Sequence, residues 1–237
     1  MTKTATILRF QPNGPDGLEE WEQMDYASLV SGQPVQHGHL YHEIESSGYM
    51  AGVWDCTAFT DQMMPYTVDE YMLFLDGELT MVLPDGTEIE IRKGDAFIIP
   101  KGFECQWKQP GFVQKIFMIL DGPVPKADNT SLQRITVPDL SAPDAAPDVV
   151  STRTDFVNAA GTMRVDVQNF GALSQPALRL DAYKIITVLD GTLSLHDGAE
   201  THSFAKGETA YVHQGDTVGC TTEPGTRLIV ASYADPG

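Results

Sequence analysis

The chain has 237 residues, of which 42% are hydrophobic, and 33 acidic against 15 basic residues give it a formal net charge of −18. This charge repels nucleic acid phosphates and anionic lipid headgroups, so we expect neither nucleic acid nor a membrane as a partner. No run approaches the ~20 apolar residues of a membrane helix, and no signal peptide is predicted. The cysteines Cys56, Cys105 and Cys220 are odd in number and lack CxxC spacing, which favours a reducing cytoplasm over a disulfide framework.

Residues 1–45 are predicted to form an N-terminal extension, and residues 46–122 the first of two β domains. Short β-rich runs separated by Gly, Pro and Asp turns indicate an all-β sandwich or barrel. In this domain the runs are Tyr71–Leu75, Glu78–Leu83, Thr87–Ile91 and Ala96–Ile99, with turns at Asp76-Gly77, Pro84-Asp85-Gly86 and Lys93-Gly94-Asp95.

The same pattern returns in the second half of the chain. Gly77 and Gly191 stand in matching LDG turns and are 114 residues apart, and two further glycine pairs are each 113 apart, Gly94 with Gly207 and Gly102 with Gly215. A near-constant offset indicates duplication of a whole domain. We therefore predict a second barrel over residues 151–237, joined to the first by a linker rich in Pro, Ala and Asp over residues 123–150.

These turns and their spacing resemble the cupin superfamily. Glu70 and Gly77 are separated by six residues, as in the first cupin motif, and Gly94, Pro100 and Gly102 have the spacing of the second. The resemblance implies two tandem double-stranded β-helix (jelly-roll) barrels, a bicupin. The first domain resembles in particular the ureidoglycine aminohydrolase and ethanolamine-utilisation cupins, through Gly52-Val53-Trp54, Asp69-Glu70-Tyr71, Gly94-Asp95, Pro100-Lys101-Gly102-Phe103, Trp107 and Lys115.

The metal ligands of the superfamily are largely replaced in both barrels. In the first barrel the three histidine positions fall on Met64, Tyr66 and Cys105, and only the glutamate, Glu70, remains. One carboxylate with a phenol and a buried thiol is a poor donor set for zinc or iron. In the second barrel the four positions fall on Leu178, Leu180, Lys184 and Val218. We therefore expect no metal and no other cofactor in either barrel.

A separate histidine cluster lies at the end of the predicted extension, in the run His37-Gly38-His39-Leu40-Tyr41-His42-Glu43. His37 and His39 would share one face of a strand, so a metal site at a barrel edge or subunit contact is one interpretation. The other is a solvated, His-rich edge strand that captures metal only adventitiously. We favour the second, because position 50, where the motif would require glycine, is Met50.

The resemblance places six side chains in or at the mouth of the first barrel. They are Met64, Tyr66, Glu70, Cys105, Trp107 and Lys115. Glu70, Tyr66 and Cys105 are candidate catalytic groups, because a carboxylate, a phenol and a thiol in an apolar cup could perform acid–base chemistry. Burial raises the pKa of such a carboxyl toward neutrality. The alternative is that Glu70 is a satisfied polar core residue and that Cys105 is inert packing.

Lys184 is the candidate ligand-binding residue of the second barrel. A lysine in an apolar barrel can bind a carboxylate or form an imine. Alternatively it pairs with Asp166, Asp181 or Glu208 and fills the space of the ancestral site.

Three functions are compatible with this pattern. The favoured one is a ligand-binding bicupin that takes a small polar metabolite in the first barrel. The second is a metal-independent enzyme, hydrolase-, aminohydrolase- or isomerase-like, acting on a small nitrogenous or carboxylate metabolite. The third is a structural or oligomeric accessory protein. We also expect a homodimer, because pairing of edge strands hides them from solvent.

Overall fold

The computed structural model describes residues 6–126, 134–141 and 150–237. No helix among these residues is long and apolar enough to cross a membrane. Two short 3-10 turns, Tyr26–Ser28 and Glu45–Ser47, interrupt the strands. In chain order the strands are β1 (Ile7–Phe10), β2 (Glu19–Glu20), β3 (Leu29–Gly32), β4 (Gln36–Ile44), β5 (Tyr49–Cys56), β6 (Phe59–Asp61), β7 (Met64–Pro65), β8 (Asp69–Asp76), β9 (Glu78–Val82), β10 (Glu88–Arg92), β11 (Ala96–Ile99), β12 (Glu104–Gln109), β13 (Val113–Leu120), β14 (Ser151–Val157), β15 (Met163–Phe170), β16 (Leu173–Arg179), β17 (Tyr183–Asp190), β18 (Thr192–His196), β19 (Thr201–Ala205), β20 (Thr209–Val212), β21 (Thr217–Thr222) and β22 (Thr226–Tyr233).

The strands form two compact units whose limits differ from the predicted domain boundaries. The first unit falls within Gln11–Val137, and the second within Pro138–Gly237 together with β1. The predicted extension, 1–45, is therefore divided: β1 pairs with β20, whereas β3 pairs with β6 and β4 with β5. Of the predicted linker, 123–150, residues 127–133 and 142–149 lie outside the described residues.

The first barrel consists of two six-stranded antiparallel sheets. One has the order β11-β8-β13-β5-β4-β2, and the other has the order β10-β9-β12-β6-β3, with β7 also paired to β12. Alternation along the strands directs one face inward: in β9, Leu79 and Met81 are buried while their neighbours are more exposed. The inward residues form an aromatic-rich core that includes Phe74, Phe97 and Trp107.

The second barrel has a six-stranded and a four-stranded antiparallel sheet. Their orders are β1-β20-β17-β22-β15-β14 and β16-β21-β18-β19. Its core is mainly aliphatic and includes Val188, Leu193, Val212 and Leu228. The two cores therefore differ in kind, although the strands that carry them correspond.

The strand positions confirm the predicted fold of two tandem all-β barrels. β8 and β17 begin 114 residues apart, at Asp69 and Tyr183, and β13 and β22 begin 113 apart, at Val113 and Thr226. The paired turn glycines Gly77, Gly94 and Gly102 have φ angles of 83°, 92° and 82°, and Gly191, Gly207 and Gly215 have 76°, 84° and 84°. Since this left-handed region strongly favours glycine, the glycine repeat reports matching turns.

Candidate functional site

A cavity of about 200 Å³ opens inside the first barrel. Aromatic rings form much of its wall, and a group of titratable side chains stands among them. The lining residues are Trp21, Met24, Trp54, Phe59, Asp61, Tyr66, Glu70, Trp107, Lys115, Phe117 and Ile119.

Glu70 stands at the centre of a buried polar cluster. Its carboxylate accepts a hydrogen bond from the Tyr66 hydroxyl through Oε2. It also pairs with Lys115, whose Nζ lies 2.9 Å from Oε1. β8 and β13 are neighbours in one sheet, so the long lysine side chain reaches along the sheet surface to Glu70. Burial and the adjacent Glu70 raise the pKa of Tyr66 well above its ordinary value, so Tyr66 remains a donor.

Two tryptophan rings complete the surroundings of Lys115. Its Nζ lies 4.6 Å from the centre of the Trp54 ring and 4.8 Å from that of Trp107. Trp54 is directly opposite Lys115 across β5 and β13. A cation held between two ring faces gains from the negative charge of both. Nζ also lies 3.2 Å from Sδ of Met72. The ammonium therefore contacts one carboxylate, one sulfur and two rings, and two of its three N–H groups have a partner.

Asp61 is a functional candidate that sequence reasoning missed. It ends β6 and lines the same cavity as Glu70. Partial burial raises the pKa of its carboxyl from 3.8 to about 6, so it titrates near physiological pH. β6 reaches the site by pairing with β3 and β12, both distant in sequence. No motif marks Asp61 in the sequence.

Two of the six predicted first-barrel residues do not line the cavity. Met64 is 40% exposed, in the short strand β7. Cys105 pairs with Met64 in register and packs in the core. Burial raises the pKa of Cys105 to about 12, so its sulfur is a thiol rather than a nucleophilic thiolate at neutral pH. The predicted interior set thus reduces to Tyr66, Glu70, Trp107 and Lys115.

The donors present do not fit the metal site that most cupin barrels use. Three or four good ligands are required, but Met64 is outside the cavity and Cys105 keeps its proton. An ammonium group, that of Lys115, already neutralises Glu70. Within residues 6–126, 134–141 and 150–237 there is no cluster of three or more His, Cys, Asp and Glu side chains that could hold a metal ion.

The three histidines of β4 have separate partners. Nδ1 of His37 lies 2.9 Å from Oδ1 of Asp55, and Nδ1 of His39 lies 3.1 Å from Oε1 of Glu19. The ring of His42 packs edge-on against Tyr49, with 5.8 Å between the ring centres. β4 lies next to the short edge strand β2. Each imidazole therefore has its own local contact.

The second barrel contains a cavity of about 270 Å³. All four positions that correspond to cupin ligands, Leu178, Leu180, Lys184 and Val218, lie in its wall. Of the three predicted partners for Lys184, the structure selects Asp181, whose Oδ1 lies 2.9 Å from Nζ. The positions that correspond to cupin ligands thus form an apolar wall with one lysine.

Comparison with known proteins agrees with this architecture. Residues 45–117 match the family described as EutQ-like cupin domain. A protein of unknown function of the DUF861 family from Pseudomonas syringae pv. tomato str. DC3000 has a similar structure, with a TM-score of 0.72 at 17% identity over 96% of this chain and 99% of that one. Residues 45–117 therefore form a cupin domain. The family match ends within the first barrel, so for the second barrel the likeness concerns the fold.

Two further solved structures share the fold at lower similarity. A cupin 2 conserved barrel domain protein from Leptotrichia buccalis has a TM-score of 0.62 at 11% identity, covering 92% of this chain and 98% of that one. Salicylate 1,2-dioxygenase from Pseudaminobacter salicylatoxidans has a TM-score of 0.54 at 13% identity, covering 78% and 71%. No curated protein matches this chain in sequence.

Proposed function

We propose that this cupin is a ligand-binding protein that holds a small polar metabolite in its first barrel without a metal ion. The observation that carries the proposal is the buried Tyr66–Glu70–Lys115 cluster in the wall of an aromatic cavity. Buried ion pairs contribute little net stability, because desolvation of both charges offsets their attraction. An apolar cavity with a few convergent polar groups is also the usual form of a small-molecule site.

The chemistry of the cavity favours a ligand with N–H donors and a flat or apolar face. Asp61 and Glu70 supply carboxylate oxygens, and Lys115 supplies a donor. The rings of Trp54, Phe59 and Trp107 provide flat apolar surface. A ureido, amide or amino group would complement these polar groups, which agrees with the resemblance of the first domain to ureidoglycine aminohydrolase and ethanolamine-utilisation cupins.

Binding can be measured through the tryptophans. All three tryptophans of the chain, Trp21, Trp54 and Trp107, line this cavity. We expect N-carbamoylglycine, a stable ureido acid, to change their emission on titration and to release heat in calorimetry. Glycine and ethanolamine are added as separate probes. Both carry an amine but only glycine carries a carboxylate, so the difference in their affinities measures the contribution of the carboxylate.

Two variants test whether the polar groups are responsible. Tyr66→Phe removes one hydroxyl, and Asp61→Asn removes one charge while keeping the shape. Each is expected to weaken binding about tenfold, the usual effect of losing a hydrogen bond that involves a charged group. Asp76→Asn, at an exposed turn of the same barrel, is the matched control. A folded protein that binds none of the probes, or binds them equally well in both variants, would contradict the proposal.

Asp61 supports a second candidate, a metal-independent enzyme acting on a small nitrogenous or carboxylate metabolite. A carboxyl with a pKa of about 6 can exchange protons near neutral pH. Turnover of N-carbamoylglycine with a half-maximal rate near pH 6, abolished in Asp61→Asn, would support this candidate. Tight binding without turnover across pH 5–8 would contradict the enzyme candidate and support the binding function.

We also propose that the protein is a homodimer in a reducing compartment. β3 and β10 are edge strands of their sheet, and pairing between copies would cover such edges. Cys56, Cys105 and Cys220 are all free, which suits a reducing cytoplasm. Light scattering after size exclusion gives the mass directly, and a monomer would refute the first part. A dimer that binds none of the probes would instead favour a purely structural or oligomeric accessory role.

A further inference from the structure

The cavity of the second barrel differs in chemistry from that of the first. Its wall is aliphatic in most directions, with contributions from Leu180, Ile186, Leu195, Val212 and Val230. Among the described residues that line it, Lys184 alone carries a charge. A single cation at one place in an apolar chamber suits a ligand with one anionic end and an apolar remainder.

The partner of Lys184 is easily exchanged. Asp181, 2.9 Å from Nζ, is 86% exposed, whereas the lysine side chain is 25% exposed. Exposed ion pairs of this kind contribute little, and water readily replaces one partner. Lys115 in the first barrel is different, since both it and Glu70 are buried. Lys184 can therefore turn its ammonium to a ligand carboxylate while Asp181 stays hydrated.

A second polar group stands in the same wall. Gln168, on β15, is partly buried and lines the cavity. Its side-chain amide makes no hydrogen bond to any part of the chain that the structure describes. An amide N–H is a good donor to a carboxylate oxygen. Gln175, which is exposed, also lines the cavity. The cavity thus offers one charged donor, the amides of Gln168 and Gln175 and, within the described lining, no acidic side chain.

We infer that the second barrel binds a small monocarboxylic acid with an apolar body, its carboxylate on Lys184 in place of Asp181 and its body among the aliphatic side chains. The volume of about 270 Å³ is close to the lower end of ligand pockets, ~300 Å³, which favours a compact acid. The site is separate from that of the proposed function, and either can fail without the other.

Octanoate and octan-1-ol are suitable probes, because they share a chain and differ in charge. We expect calorimetry to show octanoate binding with one site per chain and octan-1-ol binding more weakly. Since all three tryptophans line the first-barrel cavity, octanoate in the second barrel should leave their emission unchanged. A change in that emission would place octanoate in the first barrel and overturn the inference.

Four variants test the role of the charge. Lys184→Met should weaken octanoate binding by roughly tenfold or more, as expected for loss of a charge-assisted hydrogen bond, and should leave octan-1-ol binding unchanged. Lys184→Arg should retain most of the affinity. Lys206→Met, at an exposed turn lysine of the same barrel, is the matched control and should bind like the wild type. Asp181→Asn should bind octanoate at least as tightly, because it removes the competing anion.

Besides a change in tryptophan emission, three results would overturn the inference. They are the absence of octanoate binding by the folded protein at millimolar concentration, equal loss of affinity in Lys184→Met and Lys206→Met, and weaker octanoate binding in Asp181→Asn. Circular dichroism of each variant separates loss of the site from loss of the fold.

Discussion

Replacing Lys115 by methionine is the sharpest test of the first-barrel cluster. Methionine keeps an unbranched chain between the Trp54 and Trp107 rings but removes the charge that neutralises Glu70. Removing one partner of a buried ion pair costs about 3–5 kcal/mol, because the other charge stays buried without compensation. We expect the lower end, about 3 kcal/mol, since the Tyr66 hydroxyl still donates to Glu70 and the cavity admits water.

Glu70→Gln is the second substitution, and with Lys115→Met it completes a double-mutant cycle. In the double variant, Lys115→Met with Glu70→Gln, no charge is left behind, so stability should return to within about 1 kcal/mol of the wild type. The surface pair of Lys108 and Glu88 is the control, with 3.6 Å between Nζ and Oε1 and both side chains about half exposed. Lys108→Met should therefore cost about 0–1 kcal/mol.

Urea unfolding followed by tryptophan emission measures these differences. The three tryptophans lie in the first barrel, so their signal follows that barrel even where the second unfolds separately. A loss under about 1 kcal/mol in Lys115→Met, with an unchanged denaturant slope, would refute the argument that Glu70 depends on Lys115. Failure of the double variant to recover stability would do the same.

Three further predictions concern single residues. Burial raises the pKa of Asp61 from 3.8 to about 6, so between these values the folded state holds a proton that the unfolded chain releases, and stability falls as the pH rises through them. In urea titrations, Asp61→Asn should therefore raise the free energy of unfolding by about 1 kcal/mol at pH 7.5, after allowance for solvent screening, and change it little at pH 4. Gly77→Ala should lower the melting temperature more than Gly86→Ala: both have φ of 83°, but only at Gly77 would a methyl group meet the carbonyl oxygen of Phe112, so equal losses would contradict this. Cys105, with a pKa of about 12, should resist iodoacetamide at pH 8 in native protein and react in urea, as mass spectrometry of its peptide would show.

The sequence predicts most of the fold because turn chemistry is local. Gly77, Gly94 and their counterparts Gly191 and Gly207 adopt positive φ angles that strongly favour glycine, so their spacing records the strand lengths between them. The alternation of Leu79 and Met81 with polar neighbours likewise determines the inward face of β9. These signals need no knowledge of distant parts of the chain.

The candidate site is less accessible to the sequence because long-range pairing assembles it. Asp61 enters the cavity through the pairing of β6 with β3 and β12, and Trp21 lies well before the barrel motif. Neither has a local signal. Met64 illustrates the converse: alignment to a ligand position predicts an interior residue, but β7 places it 40% exposed.

The pairing of β1 with β20 has a consequence for synthesis of the protein. Ile7 faces Val212, 205 residues later in the chain, and at a ribosomal rate of ~5–20 residues per second the first strand waits about 10–40 s for its partner. During this time the first barrel can form, while the strand before it keeps an unpaired edge. Closure of the second sheet is thus delayed until nearly the whole chain has been translated, and a truncated protein that begins after Phe10 would leave β20 without that neighbour.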